Sequence, residues 1–445
     1  MHVEGVVERL KQEGIETVRV QFADFYGVSR RKDVPIDFFA NAVEDGVQFC
    51  VSIFSIDLSS MPAMGTGLGD EVGYSDVMAV PDLSTLKLVP WQAKTAMVWA
   101  DLHMRGNPLS LAPRTILKKI VQRYRDRGLE PIIGSELEFY LLDTSCGEPK
   151  FYFDRMGSCY TSGPIIDKHG ILYEIRRAME GMGKKIPAYN HEFFASQYEI
   201  NLLHEPALDA ADTSFAFKQA VKEIAHKYGV LGTFMAKPRN DGGGSGLHLH
   251  VSIKDPQTGA NLFYDPTASD GLSQLARWFI GGQLAHARAM TAILDPTINS
   301  YKRHVLGSFS PVYLVWGLDN RTSYVRIPTE RGKGTRVENR AADAASNPYL
   351  VFAAALAAGL DGIERQMNPG EPFVGDAYAL CDPREVPSLP QYLHEAIPVL
   401  EKDDYLVSAM GEDFVKAFTA VKRLEVQRFN QFVTDWEFNE YAFHL

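Results

Sequence analysis

The strongest constraint on the fold is a segment in which two glutamates alternate with apolar residues, GSELEFYLL at positions 134–142. In a strand, successive side chains point to opposite faces, so Glu136 and Glu138 project together. Two carboxylates side by side repel each other unless a proton or a cation lies between them. The segment therefore predicts a strand that carries either part of a cation site or a solvated acidic face.

The size and composition of the chain define its broad class. At 445 residues it is too long for one ordinary core, so we expect two or three domains. The 45% apolar and 23% charged fractions are typical of a globular protein. A net charge of −11 disfavours binding to nucleic acid or to an anionic membrane, because both need a basic footprint. Local groups of arginine can still bind a phosphate.

Three further features favour a cytoplasmic protein that does not cross a membrane. The longest apolar run, 349–360, has about twelve residues. A membrane span needs roughly twenty, so we expect a buried, Ala-rich helix instead. The N-terminal segment MHVEGVVERLKQEG is charged and amphipathic, unlike a signal peptide. No C-x-x-C pair is present, which favours reduced thiols. The four cysteines are Cys50, Cys146, Cys159 and Cys381.

The pattern of elements divides the chain into a small α+β unit at 1–107 and a larger unit at 108–445. We place the boundary near Asn107-Pro108, just before the next expected helix at 114–127. The larger unit alternates strands and helices. In the small unit we expect helices at 3–13 and 36–45, a hairpin that turns at Tyr26-Gly27, a mobile loop at 59–73, and strands at 76–80 and 96–101.

Two more segments carry carboxylate or imidazole groups. HEFFASQYEIN at 191–201 places Glu192 and Glu199 on either side of an apolar, turn-like stretch. GGGSGLHLHVS at 242–252 joins a glycine run, which lets a ligand approach the backbone, to a strand with His248 and His250 on one face. No G-K-[ST] follows, so the run is not a Walker A loop. A lone histidine would more often be a core or surface residue, but two on one strand face favour a site.

Basic residues concentrate in three later segments: NSYKR at 299–303, NRTSYVRIP at 320–328 and RVENR at 336–340. Ordinary surface salt bridges would explain single arginines. In the last segment, however, Arg336, Glu338 and Arg340 alternate with only Val and Asn, which suits a polar interior better than a packed sheet.

Together the segments supply five glutamates, one or two histidines and several arginines. Hard oxygen ligands with one imidazole favour Mg²⁺ or Mn²⁺ over Zn²⁺. Two divalent ions would nearly offset five carboxylates, which leaves the arginines for phosphates. Metal, arginine and phosphate are the components of phosphoryl transfer.

These segments, in this order, resemble glutamine synthetase of the bacterial type, over nearly the whole chain down to the closing TDWE at 434–437. The resemblance implies an α+β fold, with an N-terminal β-grasp domain (1–107) and a catalytic domain (108–445) on a curved antiparallel sheet. It implies ATP at one end of a cavity and glutamate at the other. It also implies a homo-oligomer, a dodecamer of two stacked hexameric rings in which a neighbouring subunit's small domain closes each site.

The resemblance also assigns roles to individual residues. The first metal would be held by Glu138, Glu192 and Glu199, and the second, beside the ATP phosphates, by Glu136, His248 and Glu338; two or three Mg²⁺ or Mn²⁺ are implied. The substrate-binding positions are Gly244, Arg303 and Arg340, the last two for the substrate carboxylate. Arg321, Arg326 and Arg336 would face the phosphates, with His250 and Ser252 near the nucleotide.

The family mechanism fits these roles. The glutamate γ-carboxylate attacks the γ-phosphate of ATP, metals and arginines spread the transferring charge, and an amine displaces phosphate from γ-glutamyl phosphate. Water must be excluded, because the acyl phosphate would otherwise hydrolyse.

The chain departs from the family at the ammonium end of this site. Cys50 stands where the neighbour's small domain supplies an aspartate, and Phe309 stands where a flap supplies a glutamate. Both changes replace a carboxylate with a more apolar group, and burying an unpaired ammonium there would be costly. We count Cys50 and Phe309, with Arg321 and Arg326, as candidate catalytic positions. Gly243 stands where the family often has an asparagine beside the glutamate amino group.

The departures favour an enzyme like the γ-glutamylamine and γ-glutamylpolyamine synthetases, which would join glutamate to a monoamine, polyamine or arylamine. An apolar monoamine fits the lost carboxylates best, because a polyamine would need acidic partners. Two alternatives stay open: a true glutamine synthetase that uses ammonia, and a non-catalytic relative with a structural or regulatory role.

Overall fold

The computed structural model describes residues 3–145, 147–153, 155, 159–379 and 386–445. Cys50 and Cys159 are free thiols. Cys146 and Cys381 lie outside the described residues.

A seven-stranded sheet forms the N-terminal part of the molecule. Its strand order is β2-β1-β6-β4-β3, with β5 and β7 paired to β6; β1 and β6 run parallel and the other pairs antiparallel. Its elements are α1 (Val3–Gln12), β1 (Thr17–Ala23), β2 (Ser29–Pro35), α2 (Phe39–Glu44), β3 (Val47–Cys50), β4 (Asp76–Pro81), β5 (Lys87–Leu88), β6 (Thr95–Met104) and β7 (Asn107–Pro108).

The predicted hairpin, helices and strands of this part are confirmed. The turn of the hairpin is held by Asp24, whose carboxylate accepts the backbone N–H groups of Tyr26 (2.9 Å) and Val28 (3.0 Å). Gly27 has a φ of +73°, a conformation that other residues rarely adopt. The stretch 59–73 is largely irregular, with one 3₁₀ turn at Asp70–Val72; its mobility stays a prediction.

A nine-stranded sheet forms the larger part and carries the predicted site residues. Its order is β10-β11-β8-β13-β16-β15-β14, with β9 and β12 paired to β8. The strands are β8 (Glu130–Asp143), β9 (Lys150–Phe151), β10 (Ala188–His191), β11 (Gln197–Pro206), β12 (Val230–Thr233), β13 (Leu247–Lys254), β14 (Trp316–Leu318), β15 (Val325–Ile327) and β16 (Val337–Asn339).

The sheet differs from the predicted antiparallel one at a single pair of strands. β14 and β15 run parallel, whereas the other pairs are antiparallel. The connection at 319–324 can reverse the chain twice because Asn320 braces it: its side chain accepts the N–H of Thr322 (3.0 Å), and its carbonyl accepts the Ser323 hydroxyl (2.6 Å).

Ten helices, numbered α3–α12, belong to this larger part of the described chain. They are α3 (Pro113–Arg125), α4 (Ile171–Gly181), α5 (Ala207–Lys227), α6 (Gln274–Ala285), α7 (Ala287–Leu294), α8 (Pro348–Glu364), α9 (Leu393–Glu401), α10 (Asp404–Met410), α11 (Glu412–Asn430) and α12 (Asp435–Tyr441). The helix expected at 114–127 is confirmed as α3.

The apolar run at 349–360 lies in α8, which is buried almost throughout, so the buried-helix prediction is confirmed. The helix begins at Pro348 and is capped by Asn347, whose side chain accepts the N–H of Tyr349 (2.9 Å). α6 packs closely on it, because a Cβ on Gly282 would overlap the Ala358 carbonyl. Within the described chain, no helix has both the length and the apolar character that a membrane span requires.

Candidate active site

Strand register brings the predicted acidic and basic side chains into one row across the large sheet. The strands β11, β8, β13, β16 and β15 are neighbours, and the polar residue of each lies opposite that of the next. The cross-strand pairs are Glu199 with Glu138, Asn201 with Glu136, Glu136 with His248, His250 with Glu338, and Glu338 with Arg326. Five strands from different parts of the chain thus form one site.

Glu136 lies between the two histidines of β13. Its carboxylate is 3.3 Å from His248 Nδ1 and 3.0 Å from His250 Nε2. Burial alone would raise the pKa of Glu136, but the hydrogen bonds and charges of the two imidazoles lower it well below its usual range. Burial and the nearby charge of Arg340 lower the pKa of His248 to about 4. His248 is therefore neutral at pH 7, with a lone pair available to a metal ion.

His250 is placed differently from His248. The Arg336 guanidinium donates to His250 Nδ1 at 3.1 Å. The proton of a neutral ring is therefore on Nε2, which faces Glu136. Nε2 of His250 lies 3.0 Å from the Glu136 carboxylate, so the two side chains occupy the same part of the site.

Glu338 is fully buried between two arginines. Arg326 donates to one carboxylate oxygen at 2.9 Å, and Arg340 donates to the other in a shorter contact. Burial would raise the pKa of this carboxyl group, but Arg340, the histidines and Arg326 hold it at about 2. Glu338 is therefore an ionised carboxylate whose arginines already neutralise much of its charge.

Glu138 and Glu199 show the opposite behaviour. Burial, with the charge of Glu192, raises the pKa of Glu138 to about 7, although Gln197 Nε2 and the Gly246 N–H donate to it, each at 2.9 Å. Burial and three neighbouring glutamates raise the pKa of Glu199 well above its usual range. The basic side chains therefore leave part of the negative charge of this site uncompensated.

The sixth predicted ligand, Glu192, lies in the turn between β10 and β11. Its carboxylate accepts from the Asn190 side chain at 2.8 Å, and its charge acts on both Glu138 and Glu199. The turn thus brings Glu192 to the side of the site where the protein supplies the fewest cations.

The donor atoms fit divalent cations. One ligand atom from each of Glu136, Glu199 and His248 lies within 4.8 Å of the others, and so do those of Glu136, Glu338 and His250. Glu138 and Glu199, whose pKa values are raised by burial and by repulsion from neighbouring glutamates, can exchange protons for a hard cation. The grouping crosses the predicted division, which placed Glu199 with Glu138 and Glu192. Which residues hold which ion stays a prediction.

The predicted substrate arginines lie beside this cluster. Arg303 is buried and donates to the carbonyls of Ala341 (2.5 Å) and Arg340 (3.1 Å). A Cβ on Gly244 would overlap the Arg303 side chain, so the glycine lets the guanidinium pass close to the backbone. Arg340 binds Glu338 and also donates to the carbonyl of Arg321 (3.2 Å).

Gly243 lies directly against an aromatic ring. A Cβ at this position would overlap the ring of Phe194, from the turn before β11. Both backbone polar groups of Gly243 are bonded to the Tyr140 hydroxyl, the N–H at 2.8 Å and the carbonyl at 3.1 Å. The space where residue 243 could carry a side chain is thus filled by Phe194.

The predicted phosphate-facing arginines lie at the other end of the row. Arg321 and Arg326 line a cavity of about 590 Å³ together with Thr329 and Phe373. Arg336 donates a hydrogen bond to His250, and it also forms an ion pair with Glu330 at 3.1 Å. Ser252 follows His250 by two residues in β13 and shares its face.

The two departures from the family pattern lie in different places within one chain. Phe309 is on the loop after Arg303; its ring is 56% exposed and its carbonyl accepts from Arg340 at 3.4 Å. Cys50 ends β3 in the N-terminal sheet, where its thiol lies 2.9 Å from the Ser52 hydroxyl. The structure of one chain therefore joins Phe309 to the site but leaves Cys50 in the other sheet.

The sequence analysis missed several polar and aromatic partners: Asn190, Gln197, Asn201, Tyr140 and Phe194. Strand alternation could have found Gln197 and Asn201, because they share the β11 face of Glu199. No local signal marks Tyr140 or Phe194, since their roles depend on where the glycine run crosses them.

A buried row of carboxylates, a neutral imidazole and nearby arginines on an α+β scaffold are the side chains that a class of enzymes, those of metal-assisted phosphoryl transfer, requires. The family follows from comparison with known proteins. Residues 110–441 match the model of the glutamine synthetase catalytic domain, and the chain belongs to this family. It is an ADP-forming carboxylate–amine ligase.

Relatives named for two different activities match over almost the whole chain. A glutamate–isopropylamine ligase of Pseudomonas sp is 37% identical over 97% of this chain and 96% of its own. The glutamine synthetase of Thermotoga maritima is 35% identical over the full length of both chains. The solved structure of apo GmaS without ligand superposes with a TM-score of 0.88 at 34% identity, covering 98% of this chain and 99% of the other. Enzymes of the family use ATP and divalent metals.

Proposed function

We propose that this enzyme uses ATP to join the γ-carboxylate of glutamate to a small organic amine, through γ-glutamyl phosphate, to give a γ-glutamylamide, ADP and phosphate. Magnesium or manganese ions would be held by Glu136, Glu138, Glu192, Glu199, His248 and Glu338. Bound there, they would neutralise phosphate charge and polarise the transferring phosphoryl group.

The protein's own residues have separate tasks in this proposal. Arg303 and Arg340 orient the substrate carboxylate, and their buried, doubly bonded guanidinium groups make that orientation rigid. Arg321 and Arg326 face the phosphates in the cavity that they line. Arg326 and Arg340 also share Glu338, which couples the two ends of the site.

The observation that carries the choice of amine is the aromatic ring at position 309. The Phe309 carbonyl is bonded to Arg340, so its loop lies beside the activated carboxylate. A partly exposed phenyl ring there can pack against an alkyl group, but it offers no carboxylate to balance the charge of ammonium or to accept its proton. The isopropylamine-using relative supports this choice, but relatives named glutamine synthetase are nearly as similar. Glutamine synthesis with ammonia is therefore the second candidate.

At the acid end, glutamate remains the proposed substrate. Arg303 and Arg340 select an amino-acid-like carboxylate. Phe194 fills the space beside Gly243, and an aromatic face can attract the α-ammonium group without an asparagine.

A second copy of the chain completes the proposed enzyme. Cys50 lies far along the N-terminal sheet, as expected if it closes a neighbour's site. The C-terminal segment also exposes large apolar side chains, and α12 has no buried residue. These side chains are Phe432, Val433, Trp436, Phe438, Phe443 and Leu445. We infer that these exposed side chains pack against other subunits in a dodecamer of two stacked hexameric rings.

The amine is tested by measuring phosphate release with ATP, Mg²⁺ or Mn²⁺, glutamate and a panel of ammonium, methylamine, isopropylamine, aniline and putrescine, with the amide identified by mass. We expect an apolar monoamine to give the highest kcat/KM. Ammonium as the best substrate would establish a glutamine synthetase instead, and no turnover with any amine would favour a non-catalytic relative.

Phe309→Glu tests whether the absence of a carboxylate at position 309 determines which amine is used. Restoring an acid should improve the use of ammonium and weaken that of the monoamine, because the new charge pairs with ammonium and interrupts the apolar contact. Phe309→Leu is the matched control and should keep the preference for the monoamine. Equal amine preferences in the two variants would contradict a role for the ring.

A further inference from the structure

The loop at 304–311, here named the flap, follows the substrate arginine Arg303 and carries Phe309. Two of its residues have left-handed backbone conformations: Gly307 with φ of +80° and Phe309 with φ of +57°. For a residue other than glycine this conformation costs about 1–2 kcal/mol. Contacts outside the flap must therefore hold it in place.

Three such contacts come from the active-site side. The Ser308 hydroxyl donates to the Arg303 carbonyl (3.0 Å), and Arg340 donates to the Phe309 carbonyl (3.4 Å). The Tyr378 hydroxyl donates to the Ser310 carbonyl (2.9 Å). These bonds fix the flap relative to the arginines that orient substrate.

A fourth contact comes from beneath the flap, where Asp295 faces His304, the first residue of the flap. Its Nδ1 lies 2.9 Å from the Pro311 carbonyl and 2.7 Å from the Ser310 hydroxyl. Its Nε2 lies 3.0 Å from Oδ1 of Asp295, which follows α7. The imidazole thus connects the far end of the flap to a helix terminus in the core.

The Asp295 carboxylate has few polar partners other than His304. It is fully buried, and among the described residues neither of its oxygens has a well-aligned hydrogen-bond donor. An Nε2–H group of His304 that faces this buried carboxylate is attracted to it, because little solvent screens the two groups. Nδ1 then accepts the Ser310 hydroxyl at 2.7 Å, so the ring connects Ser310 of the flap to Asp295.

We propose that Asp295 and His304 are positioning residues that hold the flap over the activated substrate and so decide how much acyl phosphate is captured by the amine rather than by water. The inference rests on the proposed function, because it concerns the fate of the acyl phosphate. A flap fixed at both ends excludes water and presents Phe309 to the amine. A flap freed beneath Ser310 admits water while the phosphoryl-transfer residues stay in place.

The test measures ADP and γ-glutamylamide separately in the full-length enzyme. In His304→Leu we expect the amide formed per ADP to fall about tenfold, the factor of one lost hydrogen bond, with a higher KM for the amine and an unchanged KM for ATP. His304→Asn keeps a polar side chain that can accept the Ser310 hydroxyl and should recover most of the ratio. Asp295→Asn, which keeps shape, should lower it. The surface variant His394→Leu is the control.

Hydrogen exchange of residues 304–311, followed by mass spectrometry, gives a readout that needs no amide. We expect faster exchange in folded His304→Leu and Asp295→Asn than in the wild type. An unchanged flap exchange, or an unchanged amide-to-ADP ratio in both variants, would overturn the proposal. If the wild type forms no amide with any amine, the proposed function fails, whereas flap exchange still decides whether Asp295 and His304 hold the flap.

Discussion

At the scale of single residues, the pair Gly243 and Phe194 makes a sharp prediction. Gly243→Asn should destabilise the protein by about 1–3 kcal/mol, the usual cost of overpacking, because its side chain meets the Phe194 ring. Phe194→Ala opens that space, so the double variant should regain stability and bind glutamate better than Gly243→Asn alone. Thermal unfolding and the KM for glutamate measure both effects.

The control for this pair is Phe193→Ala, which removes the neighbouring exposed ring. Combined with Gly243→Asn, it should give no recovery. Equal recovery with either alanine variant would show that Phe194 does not fill the space of a side chain at position 243.

The sequence predicted which residues belong to the site better than it predicted which side chains contact each other. Glu136, Glu138, His248 and His250 followed from strand alternation, which is a local property. The orientation of the His250 ring beside Glu136 depends on a hydrogen bond from Arg336, which is 86 positions away in the chain. The Asp295–His304–Ser310 connection was also missed, because nothing in the flap sequence shows that a helix terminus packs beneath it.

At the scale of elements, a buried histidine joins three helices and makes stability depend on pH. His286, between α6 and α7, lies 2.6 Å from Asp403 at the start of α10 and 2.9 Å from Asp361 in α8. Burial would lower the pKa of His286, but hydrogen bonds and charges of the two aspartates raise it above 6.5. The stabilisation is therefore complete below about pH 6.5 and is lost as pH rises through the raised pKa.

We expect the midpoint of thermal unfolding of the wild type to fall as pH rises above about 6.5. In His286→Gln this fall should be smaller, and the protein should be less stable at pH 6 by about 1–3 kcal/mol, the cost of leaving buried acceptors unpaired. His394→Gln at the surface is the control and should keep the wild-type slope. A parallel slope in His286→Gln would assign the pH dependence to other groups.

Helices and strands were predictable where their pattern is local. The hairpin, α3 and α8 appeared where apolar periodicity and capping residues placed them. The parallel pairing of β14 with β15 was not predictable, because each strand has three residues and the register depends on the Asn320 turn between them. The order β11-β8-β13-β16-β15, which creates the site, is likewise a long-range property.

At the scale of the whole molecule, the exposed C-terminal segment predicts assembly. Deletion of residues 433–445 removes α12, which contributes no buried residue, so the remaining chain should fold. If the apolar side chains of this segment bind other subunits, light scattering should give a smaller particle than the wild type, whose mass we expect to be twelve times 49.6 kDa.

Trp436→Ala with Phe438→Ala should also give a smaller particle, because both rings are more than half exposed in the single chain and would lose their contacts with other subunits. Glu440→Ala, on the same helix, should leave the mass unchanged. A wild-type monomer would contradict the assembly and would leave Cys50 outside the amine site. A deletion variant that keeps the full mass would show that this segment does not hold the subunits together.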